Sequence, residues 1–588
     1  MSPADTTWVR GVPYGRHKVG SRTSLNQRWT GPVLALCVVA AGATLTQPAS
    51  AAAPTRSAAR AVLAGRDVPH HLDLGPADLR ETRTTSTPQP GVTLTQITRG
   101  ASDSALRWTL EVLIPATGTS PDPDAPPHAL SDQAAARTVA DRLREKGFPA
   151  RVEEVAQPRV SDVPAGTLGY RVRVGSFSTK AAADSTRAQL VASGESGSSV
   201  YTGWDGQRRA RGPWHVKAVT IDPRTFRGSL AASYGPNLHD RETTSQLSLS
   251  AGATVGVNGG FFVLDPAAGA PGDPAGVGVY GGTLLSEPIN ARPALILHAD
   301  ARDTSIRRLS WKGSALVGGR EMPMDGVNRV PGLIRNCGGD STDIPTALPL
   351  HDITCTDDSE LVAFTAQYGP STPSGPGREV VIDPRHTVSS VLATRGTALP
   401  AGSMSLQGTG AAADTLAQVH LGDRVDVRTR LVDPRGQTEV TVRDTTVVNG
   451  GPLLVQDGRE DITAQRDGMI HRADPSFAYG FVVKRNPRTF AGIDGQGRTV
   501  LVTVDGRSTD DLGLSIPETA DVARSLGLVD AINLDGGGST TMVLRGELIS
   551  RPSDVTGERP VGDALLVLPA QRGQAARPRP GGGSNSRP

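Results

Sequence analysis

The sequence predicts an α+β protein in two parts, a small block of alternating strands and helices followed by a larger β-rich domain. Three observations carry this. Between residues 106 and 206 a strand–helix–strand pattern occurs twice, an internal repeat. After Pro213 the chain changes to short β-type runs separated by Gly, Pro and Asp turns, with few helical stretches. Near the C-terminus, Asn533-Leu534-Asp535-Gly536-Gly537-Gly538-Ser539-Thr540-Thr541 places a carboxylate at the end of an apolar strand, then three residues without Cβ, then three hydroxyls.

The first 51 residues read as a secretory signal: Arg28 precedes an apolar run from Pro32 to Leu45, and Ala49-Ser50-Ala51 ends it. That run is too short for a comfortable membrane span. Residues 52–105 lack sustained apolar patterns and are expected to form a flexible leader. In the block at 106–206, strands are predicted at Trp108–Pro115, Pro149–Val155, Tyr170–Val174 and Ser199–Trp204. Helices are predicted at Ser131–Lys146, where Gly147 stops the helix, and at Thr179–Leu190. The larger domain spans 213–569. Its clearest strands are Val216–Ile221, Ala294–His298, Leu361–Thr365, Val425–Val432 and Val500–Val504. Helices are expected near Arg241–Ser250 and at Leu514–Leu526, with Pro266–Pro274 a flexible loop. The Arg-, Pro- and Gly-rich tail, 570–588, reads as disordered.

A formal net charge of +2, without any long basic run, implies no nucleic-acid partner. Removal of the signal leaves two cysteines, Cys337 and Cys355. In an exported chain these are expected to form a disulfide, which would stabilise the fold by roughly 3 kcal/mol on the loop-entropy model. The chain has no H-E-x-x-H helix, no C-x-x-C pair and no G-x-S-x-G elbow.

The chemistry is expected around strand ends. Thr499–Val504 releases Asp505 at its terminus, and the later strand releases Asp535. The helix between them makes the unit resemble a βαβ crossover with ligand chemistry at the carboxyl edge. Consecutive glycines after Asp535 let backbone N–H groups approach an anion, although Asp-Gly after a strand also suits an ordinary hairpin turn. Ser515 and Glu518 form an S-x-x-E pair, so Glu518 fits a helix cap as well as a catalytic role. His471, beside Arg472 and Asp474, fits a general base or a phosphate ligand as well as an inert histidine.

Several motifs in one order resemble the phosphodiester glycosidase family: Gly256-Val257-Asn258-Gly259-Gly260-Phe261-Phe262, Asn449-Gly450-Gly451-Pro452-Leu453, Asn486 to Asp494, Val504 to Arg507, Glu518, and Ala531 to Thr540. Arg551-Pro552-Ser553-Asp554 and Arg559-Pro560 also match. The resemblance spans about 214–569. It implies an exported hydrolase that cleaves an N-acetylglucosamine-type sugar-1-phosphodiester. The implied catalytic residues are Glu518 and Asp535, supported by Asp505. Arg488, Arg507 and Arg559 would hold the phosphodiester together with the loop Gly536, Gly537, Gly538, Ser539 and Thr540. Asn258, Gly259 and Gly260 would fix sugar hydroxyls. No cofactor is implied, but a divalent cation such as calcium is compatible with the acidic loops.

In the smaller block, Tyr170-Arg171-Val172-Arg173-Val174-Gly175-Ser176-Phe177-Ser178 resembles the SPOR family. That likeness implies a ferredoxin-like fold and peptidoglycan binding, although plain alternation of a half-buried strand also explains the pattern. The partner expected overall is a cell-wall or extracellular phosphoglycan. Two other readings stay open: a noncatalytic cell-wall glycan binder, and a metal-dependent phosphodiesterase with Asp505 and Asp535 as oxygen ligands.

Overall fold

The computed structural model describes residues 71–114, 128–206, 209–289, 291–335, 344–345, 353–439, 441–471 and 475–570. All of them lie in one compact unit, Pro54–Pro588. The signal, Cys337, Arg472, Asp474 and the tail from 571 fall outside the described residues.

The central element is an eight-stranded, wholly antiparallel sheet. Its order is Glu81–Gln89, Val92–Arg99, Trp214–Ile221, Thr499–Val504, Arg488–Asp494, Leu528–Asn533, Leu453–Gln456, Arg459–Glu460. Its first two strands correct the expectation of a loose leader. Alternate residues Val92 and Leu94 are buried in the core, and the strand pairs with Trp214–Ile221 along its full length. The apolar residues there are widely spaced among Thr and Gln, so the stretch reads as polar although one face is core.

Both faces of this sheet are covered. One carries Val500, Val502, Val504 and Phe490 against the helix Ile516–Ser525 and the strand–helix block. The other carries Leu501, Ala491 and Ile532 against two further sheets, through Val257, Leu565, Leu295 and Val448. Ser515 caps the helix and Glu518 closes the capping box.

The crossover expected around that helix is present in modified form. Thr499–Val504 and Leu528–Asn533 both run antiparallel to Arg488–Asp494, which lies between them. They are therefore parallel to each other but not adjacent. Their carboxyl ends emerge at one edge, beside the start of the strand that opens with Arg488.

The strand–helix block follows the predicted order. Strands Trp108–Val112, Ala150–Gln157, Gly166–Phe177 and Gly197–Tyr201 form one antiparallel sheet, with Gly166–Phe177 and Trp108–Val112 central and Gly197–Tyr201 at an edge. Helices Gln133–Glu145 and Lys180–Ala192 are capped by Asp132 and Thr179. The first buries Ala136, Val139, Ala140 and Leu143. Residues 202–204 form a short 3₁₀ turn and not the end of a strand.

Cys355 is fully buried and disulfide-bonded. No helix among the described residues is long and apolar enough to cross a membrane.

Candidate active site

The glycine loop after Asp535 bridges two sheets. It leaves the central sheet at Asn533 and enters a second one at Met542–Leu544. Asn258, at the end of strand Val255–Asn258, pins it. Its Nδ2 donates to the Asp535 carbonyl at 2.8 Å, and its Oδ1 accepts from Thr489 Oγ1 at 2.7 Å and Thr541 N at 3.0 Å. Asn258 is fully buried and its side chain is spent on these bonds, so it shapes the loop and does not face a ligand. Gly259 and Gly260 serve packing too. A Cβ on Gly259 would stand 2.2 Å from Asp563 Oδ1, and that oxygen accepts from Gly260 N at 2.9 Å.

One open cleft of about 740 Å³ lies over this loop. Asp535, Gly536 and Gly537 form its floor together with Arg488, Arg507 and Arg559. Phe261, Phe477 and Phe481 give it an aromatic wall, the last two stacked at 5.7 Å between ring centres. A π-turn over Tyr479–Val483 carries Phe481, the kind of helical irregularity that recurs at functional sites. Among the described residues, Asp535 is the only carboxylate lining this cleft.

Burial drives the Asp535 carboxyl up to about 6, against the opposing pull of Ser539, Arg559 and the Gly536 N–H that donates to Oδ1 at 2.8 Å. Around it the positive charge is in excess. Arg488 is buried and bonds only to backbone carbonyls, including Leu514 O at 2.9 Å, with its guanidinium 5.0 Å from the Phe481 ring centre. Burial and the neighbouring Arg507 hold it below the usual arginine range. Arg507 reaches Asn486 Oδ1 at 3.1 Å, and the protein around it together with Arg559 lowers it likewise. Neither forms an ion pair with a carboxylate among the described residues, whereas Arg559 pairs with Asp554 at 2.8 Å. Two unneutralised guanidinium groups in one concavity call for a bound anion.

Gly538 explains one glycine of the run. A Cβ there would lie 2.2 Å from Arg559 Nη2 and 2.3 Å from Asp554 Oδ2, so the pair can lie over the loop only above a glycine. Ser539 and Thr540 are buried and do not line the cleft, so their expected role as a donor surface is replaced by Gly536 and Gly537.

Two of the three expected acids are placed elsewhere. Glu518 accepts from Arg485 Nη2 at 2.6 Å and from Ser515 N at 2.9 Å, and it does not line the cleft. The capping box and this ion pair consume it. Asp505 pairs with Lys217, accepts from Arg551 N at 3.1 Å and lines a separate cavity with His215 and Asp511. The cause is strand parity: Thr503 sits opposite Lys217 and Val504 opposite Arg488. Asp505 therefore faces with Thr503, away from Arg488. His471 is not among the lining residues. Asp505 and Asp535 are thus not brought together around a single ion, and among the described residues no cluster of three His, Cys, Asp or Glu is arranged to hold one.

Sequence reasoning missed the aromatic wall, Asn486, Lys484 and Arg485, and the edge of the strand–helix block, whose Ser198, Ser199, Val200 and Trp204 complete the lining. Phe261 was within reach, since it lies within the motif Gly256-Val257-Asn258-Gly259-Gly260-Phe261-Phe262 itself. Asn449, from the middle motif, fixes it with Oδ1 accepting from Phe261 N at 2.9 Å.

Comparison with known proteins gives two family matches. The phosphodiester glycosidase family matches residues 377–568, and the SPOR domain matches 128–202. N-acetylglucosamine-1-phosphodiester alpha-N-acetylglucosaminidase of Mus musculus is 47% identical over 74 residues, 13% of this chain and 14% of that protein. The Bos taurus protein is 47% identical over 109 residues, 18% of this chain and 20% of its own. The chain thus spans a fifth or less of the length of these curated relatives. A crystal structure of an assumed exported protein from Burkholderia pseudomallei K96243 superposes with a TM-score of 0.76 at 32% identity, covering 86% of this chain and 99% of that one. The chain therefore carries a phosphodiester glycosidase domain match over residues 377–568 and, ahead of it, an SPOR domain over 128–202.

Proposed function

We propose that this protein is a hydrolase cleaving the bond between a sugar, of the N-acetylglucosamine type, and the phosphate of a phosphodiester. The observation that carries the reading is Asp535, a half-buried carboxyl raised to about 6, in the same cleft as two arginines that have no carboxylate partner among the described residues. The arginines and the Gly536–Gly537 backbone suit the phosphate. The aromatic wall suits the apolar face of a sugar ring.

In the proposed step a water oxygen bonds to the anomeric carbon while Asp535 takes its proton. The bond from that carbon to the phosphate oxygen breaks, and the electron pair leaves with the phosphate monoester, whose charge Arg488 and Arg507 neutralise. A good leaving group of this kind relaxes the need for a strong acid, which fits a cleft whose one lining carboxylate among the described residues is Asp535, in place of the usual pair.

The chain is exported, on this reading, and its substrate is a cell-wall or extracellular phosphoglycan; the relative assumed to be exported and the SPOR match support this. The block's strand order and its two helices support the ferredoxin-like assignment, and peptidoglycan or a related glycan is its expected partner. Cys337 is the proposed partner of Cys355. The test is release of free sugar from N-acetylglucosamine-1-phosphodiesters by the purified protein, with and without a chelator. No release from any diester, by wild-type protein that binds them, would leave the noncatalytic binder as the better account. Loss with chelator alone would favour metal-dependent chemistry.

A further inference from the structure

The outer face of the strand–helix block's sheet is not free. Glu111 stands opposite Arg173 in the ladder, and Glu153 opposite Arg171. Arg173 makes two 2.7 Å bonds to Asp205, Arg171 reaches Tyr479 Oη at 2.7 Å, and Lys484 reaches Glu111 at 3.1 Å. Burial opposes the Glu111 carboxyl's ionisation, but Lys484 and Arg173 outweigh it and bring the group down to about 2. Breaking such a buried network costs several kcal/mol, so this face docks the block and holds it in register. Tyr479 and Lys484 flank Phe481 and precede Arg485, Asn486 and Arg488, the cleft's own wall.

Of the sheet's two edge strands, Ala150–Gln157 and Gly197–Tyr201, the second opens into the cleft through Ser198, Ser199 and Val200. Trp204 follows and touches both guanidinium-bearing segments. Its indole N–H donates to Ser508 O at 3.1 Å, next to Arg507, and its carbonyl accepts from Arg485 N at 2.8 Å. The edge therefore abuts the cationic side of the cleft. An edge strand leaves backbone donors and acceptors without a neighbouring strand, and here they stand beside the exposed Ser198 hydroxyl, whereas the Ser199 hydroxyl donates to Asp184 Oδ1 at 2.7 Å.

We propose that this edge is the leaving-group subsite, selecting phosphodiesters whose phosphate carries an extended, hydroxyl-rich chain over those carrying a small alkyl group. The inference rests on the hydrolase reading above. It makes the SPOR-type block part of the catalytic cleft, reading the chain through its edge strand while its sheet face is engaged in docking.

The test compares two diesters of N-acetylglucosamine-1-phosphate, one with methyl and one with a tetrasaccharide. Wild-type protein should prefer the tetrasaccharide diester by about tenfold in kcat/KM, mostly through KM. Ser198→Trp, at an exposed position, should bring the ratio of the two close to one. Ser198→Thr, keeping the hydroxyl, should retain it. Calorimetry on Asp535→Asn, with and without Ser198→Trp, reads the same preference as a ratio of Kd values without turnover. A wild-type ratio near one, or a ratio that Ser198→Trp leaves intact, overturns the proposal. Preferential binding lost in Ser198→Trp, in a protein that cleaves neither diester, sustains the subsite and overturns the hydrolase reading alone.

Discussion

Arg485 and Glu518 form a nearly buried ion pair, with Nη2 and Oε1 2.6 Å apart and side chains 3% and 17% exposed. The same glutamate caps its own helix, and the same arginine lines the cleft. Glu518 therefore belongs to the frame that positions the cationic wall. Glu518→Gln should destabilise the protein by about 3 kcal/mol, read as a lower urea midpoint, because Arg485 loses its counter-charge. The folded fraction should keep its kcat within a few-fold. A drop of three orders of magnitude in kcat at full folding would make Glu518 catalytic after all.

Asp535→Asn should lower kcat by about 10² to 10⁴, the range for loss of a positioned proton acceptor. Its circular dichroism should match the wild type, since the amide retains an oxygen for the Gly536 N–H. Substantial residual turnover would assign the proton transfer to another group.

The pH dependence follows from the same carboxyl. Its folded value, about 6, is raised above the ordinary 3.8 by burial. The folded state thus binds this proton more tightly than the unfolded chain does, and this group's contribution to stability is lost as pH rises from about 4 to about 6. Asp535→Asn should therefore be more stable than wild type at neutral pH, with the difference vanishing below about pH 4. As a proton acceptor the ionised form is the active one, so wild-type kcat should fall on acidification below about pH 6. Paired melts across this range, alongside a kcat profile, check both.

Arg507 is exposed at the cleft, and among the described residues its guanidinium is hydrogen-bonded to Asn486 alone. Arg507→Gln should leave the unfolding midpoint nearly unchanged and raise KM about tenfold, the loss of roughly one charge-assisted bond. Inorganic phosphate should raise the melting temperature of the wild type and do so less in the variant. Equal shifts in both proteins would place the anion elsewhere.

Gly538→Ala should displace the Arg559–Asp554 pair, because its Cβ would meet Arg559 Nη2 at 2.2 Å. Turnover should fall by at least tenfold with a modest loss of stability. Wild-type kinetics would show that the pair is dispensable.

Local pattern made much of this legible. The helix 516–525 was announced by its capping box and by apolar Val522 and Leu526. The strand Val425–Val432 was announced by its length and bordering turns. Asp535 and the arginines stood in recognisable motifs. What stayed hidden depends on parity and long-range register. Asp505 and Arg488 are both at strand ends beside one another, yet a one-residue offset turns them to opposite faces. The hairpin at 81–99 carries too few apolar residues to be read as core until its partner strand, more than a hundred residues later, is known. The family resemblance of its motif assigned Asn258 to sugar hydroxyls, but its bonds go to Thr489, Thr541 and the Asp535 backbone. The aromatic wall drew no attention because Phe477 and Phe481 lie outside any glycine-rich run.

Arg99 and Trp214 face each other as the end and beginning of neighbouring strands. Topologically, the entire segment from 100 to 213 is the turn of a β-hairpin, grown to hold a domain of its own. Entry and exit are side by side, so a module of this type could be exchanged for another, or for a tight reverse turn, without rethreading the central sheet. On the proposed function, substrate range could then diversify by cassette while the Asp535 cleft stays fixed.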